Sequence, residues 1–323
     1  MTMKENLEIL VTLPLSVAHK ALFEEAAPHG HFQYMPVEAV TPEVAQAAHV
    51  VVGNVSPSLL AGSKNLRWLQ LHSAGTNGYT DGALPEGTVL TNATGAYGLA
   101  ISEHMLGMVL MLTKKLHVYL CNQQDAQWRD EGPVGGLYGA TVLVVGLGDI
   151  GLNFAERCHA MGSRVVGIRR VPREAPAGVG EVYGLEDIDR LLPQADVVAL
   201  SLPATPSTHR LFDAGRIARM KPGAILLNVG RGTAICQEAL CDALESGRLG
   251  GAGLDVTDPE PLPPEHRLWH APNLLLTPHV SGGYHFPETL ERIVRISADN
   301  LAAFVQHRPM TSVVDFQTGY RRI

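Results

Sequence analysis

Short apolar runs recur along the chain and fall into two series. In the first, between residues 9 and 92, the runs EILVTL, HFQYM, HVVVGN, RWLQLH and TVLTN are rich in β-branched and aromatic residues and alternate with segments of helical potential. Strands separated by helices build a parallel sheet covered on both faces, so a first α/β domain is expected. A second series starts at Thr141: TVLVVG, SRVVGI, ADVVALSL, AILLNV, GAGLDV and NLLLTP. These runs are apolar almost throughout rather than alternating, as central strands buried on both faces are. The second sheet is therefore expected to be parallel too.

Between the two series, YGLAISEHMLGMVLMLTKKLH at 97–117 holds no proline and predicts one helix of about six turns joining the domains. A polar stretch with Gln123, Gln124, Trp128 and Gly132 follows it. PEPLPP at 259–264 reads as a surface loop. Beyond it, Leu290, Ile293, Val294, Leu301, Phe304 and Val305 recur at near-helical spacing after Pro287, which suits a first turn; the tail reads as one amphipathic helix. No repeat shorter than a domain is visible.

Composition narrows the function classes. A chain of 323 residues, 46% hydrophobic and 18% charged, has the core of an ordinary globular protein and the length of two domains. With 25 Lys and Arg against 32 Asp and Glu, the net charge of -7 argues against nucleic acid as a partner. Cys121, Cys158, Cys236 and Cys241 show no CxxC spacing and no pairing with His, so no metal site is expected and the thiols read as those of a reduced, cytoplasmic protein. The start, MTMKENLEILVTLPLSV, lacks the basic end and unbroken apolar stretch of a signal peptide. The apolar run Met105 to Thr113 falls far short of the roughly 20 residues that span a bilayer, so no membrane partner is expected.

The strand ATVLVV runs directly into Gly146, Leu147, Gly148, Asp149, Ile150 and Gly151, and then into the helical stretch NFAERCHAMG. A strand before GxGxxG and a helix after it is the context of a dinucleotide fingerprint. Gly146 allows the tight turn, Gly148 admits a pyrophosphate, Gly151 lets helix and strand pack closely, and the helix N-terminus faces the anion. About 20 residues on, where NAD-binding sheets place an acid for the ribose 2′-hydroxyl, the chain reads Gly167, Ile168, Arg169, Arg170. Two guanidinium groups without a carboxylate suit a 2′-phosphate, so NADP is preferred and NAD remains usable. Arg173 extends this basic spot. The competing reading has both arginines pointing to solvent.

Three ionisable residues stand at or just past strand ends: Arg231 in NVGRG, Glu260 in LDVTDPEPLP and His279 in LLLTPHVSGG. Ligands of open α/β sheets bind beyond the carboxyl ends of the strands, so all three could face one site. Hydride transfer to a ketone needs a proton for the developing alkoxide, a cation for the substrate carboxylate, and a group that keeps the acid charged and oriented. His279 can supply the first, Arg231 the second and Glu260 the third. Taken singly, each also fits a structural role. Pro203, Val229 and Gly230 complete the cofactor-binding candidates.

The ordered set HSAGTN (72–77), AISEH (100–104), GLGDIG, NVGRG, GLDVTDPEPLP and TPHVSGG (277–283) resembles the D-isomer-specific 2-hydroxyacid dehydrogenases over nearly the whole chain. That resemblance implies two doubly wound α/β domains with parallel sheets: a Rossmann cofactor domain, 96–286, inserted into a flavodoxin-like substrate domain, 1–95 with 287–323, and an active cleft between them. It implies that Arg231, Glu260 and His279 are the catalytic trio. It implies that Asp255 holds the nicotinamide carboxamide and that the amides of Ala74 and Gly75 bind the carboxylate of a small 2-oxo or 2-hydroxy acid. It also implies a homodimer built through the cofactor domains, with 98–117 and the stretch around Trp128 as contact surfaces. Asn77 replaces a frequent Asp of the family, and Arg169 stands where NAD-dependent members usually carry Asp. Tyr97 in GAYG matches a position near the substrate in some relatives, or is a buried aromatic. 3-Phosphoglycerate dehydrogenase, formate or phosphite dehydrogenase, and a dinucleotide-sensing corepressor share the fold and stay open as alternatives.

Overall fold

The apolar runs pair as two separate parallel sheets. In the computed structural model, which describes residues 6–171, 174–317 and 319, the chain divides into unit 1, Met1–Tyr97 with Phe286–Ile323, and unit 2, Gly98–His285. Unit 1 carries β1 (Glu8–Val11), α1 (Val17–Ala26), β2 (His31–Tyr34), α2 (Pro42–Ala47), β3 (Val50–Val52), α3 (Pro57–Leu60), β4 (Trp68–Gln70) and β5 (Val89–Thr91). Its five strands are all parallel in the order β2-β1-β3-β4-β5, the flavodoxin-like winding. Val51, in register with both Leu10 and Leu69, is fully buried among them.

Unit 2 begins with α4 (Gly98–Thr113) and α5 (Leu116–Gln124). These are two helices rather than the single one expected, because Lys115 takes a left-handed conformation, φ +55°. The side-chain amines of Lys114 and Lys115 reach out at this break to the backbone carbonyls of Gly135 and Glu131. There follow β6 (Thr141–Val145), α6 (Asp149–Ala160), β7 (Arg164–Ile168), β8 (Glu181–Tyr183), α7 (Ile188–Leu191), β9 (Val197–Leu200), α8 (Ala214–Arg219), β10 (Ile225–Asn228), α9 (Gln237–Glu245), β11 (Gly251–Leu254) and β12 (Leu274–Leu276). The seven-stranded parallel sheet has the order β12-β11-β10-β9-β6-β7-β8. β8, absent from the sequence reading, is a three-residue edge strand with no apolar run to announce it.

The winding of this sheet reverses between β6 and β9, and the crevice at such a switch point is where doubly wound sheets bind ligands. The glycine turn lies there. Gly146 stands at φ +105°, and a Cβ on Gly151 would lie 2.0 Å from the Gly146 carbonyl oxygen. The Ser201 hydroxyl, just past β9, donates to that same carbonyl at 2.8 Å. The turn, the start of α6 and the end of β9 are thus fixed against one another.

The last helix, α10 (Pro287–Val305), has Pro287 in its first turn as expected and belongs to unit 1, where it packs on α1. Phe304 stacks on Trp68 of β4 at 5.3 Å. Beneath them runs a buried polar chain: Trp68 Nε1 donates to Thr91 Oγ1 (2.8 Å), Thr91 to Gln70 Oε1 (2.7 Å), and Asn300 Nδ2 to the same Gln70 oxygen (2.8 Å). A backbone bond from Val314 to Leu90 adds the tail to β5. No helix among the described residues is long and apolar enough to cross a membrane. Gly151→Ala is expected to destabilise unit 2 by about 2–3 kcal/mol, since its methyl group must displace backbone rather than a flexible side chain; denaturant unfolding checks this.

Candidate active site

The cofactor candidates gather at the carboxyl edge of the unit 2 sheet. α6 opens at Gly148, whose added Cβ would meet nothing within 4 Å, so its backbone faces open space at a helix N-terminus. Gly146 supplies the turn and Gly151 the close packing, so this cradle fits a dinucleotide pyrophosphate. Ile150 is half-buried in the first turn. The Asp149 carboxylate is turned inward: its Oδ2 accepts the Gly98 amide at 2.8 Å and so caps α4. Arg169 is half-buried and Arg170 exposed, immediately past β7. The backbone of β7 is tied to the glycine turn there, Gly146 donating to Ile168 at 2.9 Å. Arg173 lies outside the described residues. Pro203 follows β9, and Val229 and Gly230 follow β10, with a Cβ on Gly230 falling 2.4 Å from the Leu202 carbonyl oxygen.

The three ionisable candidates lie together at the same edge. His279 Nδ1 is 2.8 Å from Glu260 Oε2, and both side chains are partly exposed. The other Glu260 oxygen accepts the Thr257 amide at 3.0 Å. Gly232 is packed so tightly that an added Cβ would sit 2.0 Å from the Thr257 carbonyl, which brings the Arg231 loop against the Glu260 loop. Burial pushes the pKa of the Arg231 guanidinium down, and the Glu260 carboxylate opposes that shift. Arg231 Nη1 donates to the Gly230 carbonyl at 2.7 Å. The result is a half-buried cation, a carboxylate and an imidazole in electrostatic contact.

Two buried polar side chains hold these loops, and sequence reasoning missed one of them. Asn228, at the end of β10, donates from Nδ2 to the Arg231 carbonyl (2.9 Å) and accepts the Gly230 amide on Oδ1 (3.0 Å). Asp255, past β11 and 1% exposed, accepts from Thr277 Oγ1 (2.6 Å), the amides of Val280 (3.0 Å) and Ser281 (3.1 Å), and the Ser281 hydroxyl. A carboxylate has roughly four acceptor positions, so the chain's own donors fill those of Asp255, the residue expected at the nicotinamide carboxamide. Thr277 and Ser281 stand within the TPHVSGG run and Asn228 opens NVGRG, so polar residues flanking the candidate ligands were the available signal.

In unit 1, the HSAGTN segment forms a loop past β4 whose carbonyls are held from behind. Asn92 Nδ2 donates to the Ala74 carbonyl (2.7 Å) and Ser73 Oγ to that of Gly75 (2.7 Å). Among the described residues, neither the Ala74 nor the Gly75 amide donates a hydrogen bond, which leaves two N–H groups for an anion. Burial pushes neighbouring His72 down to about 4, keeping it neutral beside this loop. Tyr97 is buried, and its hydroxyl donates to the His72 carbonyl.

With this geometry in place, residues 106–281 match the family model described as D-isomer specific 2-hydroxyacid dehydrogenase, NAD binding domain. The chain belongs to this family. A D-isomer specific 2-hydroxyacid dehydrogenase family protein from Aeromonas salmonicida subsp. salmonicida has a solved structure with a TM-score of 0.86 and 36% identity, covering 97% of this chain and 100% of that one. The NADPH-dependent glyoxylate/hydroxypyruvate reductase of Sinorhizobium meliloti, solved with NADP and sulfate, gives 0.81 and 26% over 98% of this chain and 100% of that one. A glycerate dehydrogenase of Methylorubrum extorquens is 30% identical over 304 residues, 88% of this chain and 92% of its own. This 2-hydroxyacid dehydrogenase is therefore an NAD(P)-dependent oxidoreductase acting on CH–OH groups, with the two parallel-sheet domains its sequence implied.

Proposed function

We propose that this dehydrogenase reduces a small 2-oxo acid of the glyoxylate or hydroxypyruvate kind to the D-2-hydroxy acid, with NADPH as the preferred cofactor. The observation that carries the reading is the 2.8 Å His279–Glu260 pair beside half-buried Arg231. With Nδ1 engaged by Glu260, Nε2 of His279 is the nitrogen that gives a proton to the carbonyl oxygen. Arg231 grips the carboxylate and polarises the carbonyl, its partial burial strengthening both contacts. Within unit 1, the Ala74 and Gly75 amides offer anion contacts of their own. Gly146, Gly148, Ile150, Gly151, Pro203, Val229 and Gly230, with the backbone of Asp149, hold the dinucleotide, which when bound supplies the hydride. Arg169 and Arg170 favour a 2′-phosphate, and the Sinorhizobium meliloti relative is named NADPH-dependent. The names of the relatives favour this reading over a phosphoglycerate dehydrogenase or a corepressor.

The assembly we propose is a homodimer through unit 2. Trp128 and Tyr138 are almost wholly exposed, and Leu116, Leu120 and Val134 about half so. The segment carrying Trp128 and Val134 is pinned to α5, with Asn122 bonding Glu131 at 2.6 Å and the Glu131 amide bonding Tyr119 at 3.0 Å. A rigid apolar patch of this kind suits a second copy. The four cysteines, none in a disulfide, agree with a cytoplasmic location.

Glyoxylate, hydroxypyruvate, pyruvate and larger 2-oxo acids, assayed by loss of reduced-nicotinamide absorbance, test the reading; no turnover with any of them overturns it. His279→Ala is expected to lower kcat by about 10³-fold while leaving NADPH affinity unchanged. Arg169→Asp with Arg170→Ala is expected to move kcat/KM toward NADH by about tenfold or more, whereas an unchanged ratio means that both arginines face solvent. Trp128→Glu with Tyr138→Glu is expected to give a monomer by light scattering.

A further inference from the structure

His279 is held in a backbone conformation that L-residues rarely adopt, φ +52°. Its amide donates to the Asp255 carbonyl at 2.8 Å, and the next two amides, of Val280 and Ser281, donate to the Asp255 carboxylate. Three consecutive N–H groups of the loop therefore end on one residue. The orientation of that carboxylate depends on what holds Oδ1 from the other side. There Thr277 Oγ1 donates at 2.6 Å, and His104 Nε2 of α4 lies 3.1 Å from the same hydroxyl. A hydroxyl has one proton, and Thr277 gives it to the carboxylate, so it accepts from His104, whose Nε2 carries a hydrogen.

We propose that His104 and Thr277 are positioning residues for His279, acting through Asp255. His104 never meets the reacting atoms. It fixes the Thr277 rotamer, which fixes the Asp255 carboxylate, which holds the strained loop that points the His279 imidazole at Glu260. Every contact lies within unit 2. The inference rests on the reading of His279 as the proton donor, because a misplaced imidazole reduces turnover only if the imidazole takes part.

His104→Leu and Thr277→Val are each expected to lower kcat about tenfold to a hundredfold, as small displacements of a reacting group do. KM for NADPH and Tm should stay near those of the unaltered enzyme. The double variant should be no slower than Thr277→Val alone, because both changes cut one chain. His104→Gln, whose side-chain amide places an N–H near the Nε2 position, should restore most of kcat. Amide hydrogen exchange at residues 279–281 should quicken in the Leu and Val variants and not in the Gln variant. If His104→Leu does not fold, the comparison of His104→Gln with the shorter His104→Asn carries the same readings. Unchanged kcat in the Leu variant, equal losses in Leu and Gln, or losses that multiply in the double variant would each overturn the proposal. If His279→Ala itself keeps full kcat, the proton-donor reading fails instead, while faster exchange at 279–281 in His104→Leu would still report the link to the loop.

Discussion

A parallel sheet sends every strand's carboxyl end to the same edge, and in unit 2 that constraint does most of the assembling. Gly146 follows β6, Arg169 follows β7, Pro203 follows β9, Arg231 follows β10, Asp255 follows β11 and His279 follows β12. No long-range coincidence is needed to collect them, because the strand pairing has already done so. What remains is to fix loops only a few residues long. One close contact is backbone on backbone, Gly151 against Gly146, and it sets where α6 begins and so where its positive end lies.

The loops beyond the strands are held by buried polar side chains rather than by apolar packing. Asn228 steadies the Arg231 loop, Asp255 the His279 loop and Asn92 the Ala74 loop. Each such bond contributes only about 1 kcal/mol net, yet leaving a buried partner unmatched costs about 1–3 kcal/mol. That asymmetry makes each loop nearly all-or-none. A side chain that fills its donors and acceptors in one arrangement has no graded alternative, which suits a site where an imidazole must be held at hydrogen-bond distance, 2.8 Å, from a carboxylate.

Much of this was legible in the chain. The eleven runs read as strands are strands, because burial on both faces writes itself as an unbroken apolar stretch. The glycine turn was legible because its requirements are local: a positive φ at Gly146 and no room for a Cβ at Gly151. Arg231, Glu260 and His279 could be picked out as strand-end residues, and the structure brings them together. β8 was not legible, since three residues at a sheet edge carry too little pattern. Nor was the break at Lys115: the sequence there is a good helix former, and contacts from Lys114 and Lys115 to carbonyls some 20 residues on decide the turn. The partners of Asp255 were hidden for a related reason. They all lie on the 277–281 loop, more than 20 residues further along the chain, a relation that spacing does not encode.

Unit 2 is an insertion, and this has a consequence for the order in which a ribosome can deliver the molecule. All of unit 2 lies between Gly98 and His285, so its sheet can close as soon as that stretch has emerged. Unit 1 has its five strands by Thr91, but its buried Gln70 stays without the Asn300 amide, Trp68 without Phe304, and β5 without its Val314 partner until residues 300 to 314 are made. Of the two units, the one begun earlier is thus completed later. A nascent chain stalled before residue 287 would carry a finished dinucleotide-binding fold and an open, apolar-faced half-domain, the species that chaperones meet.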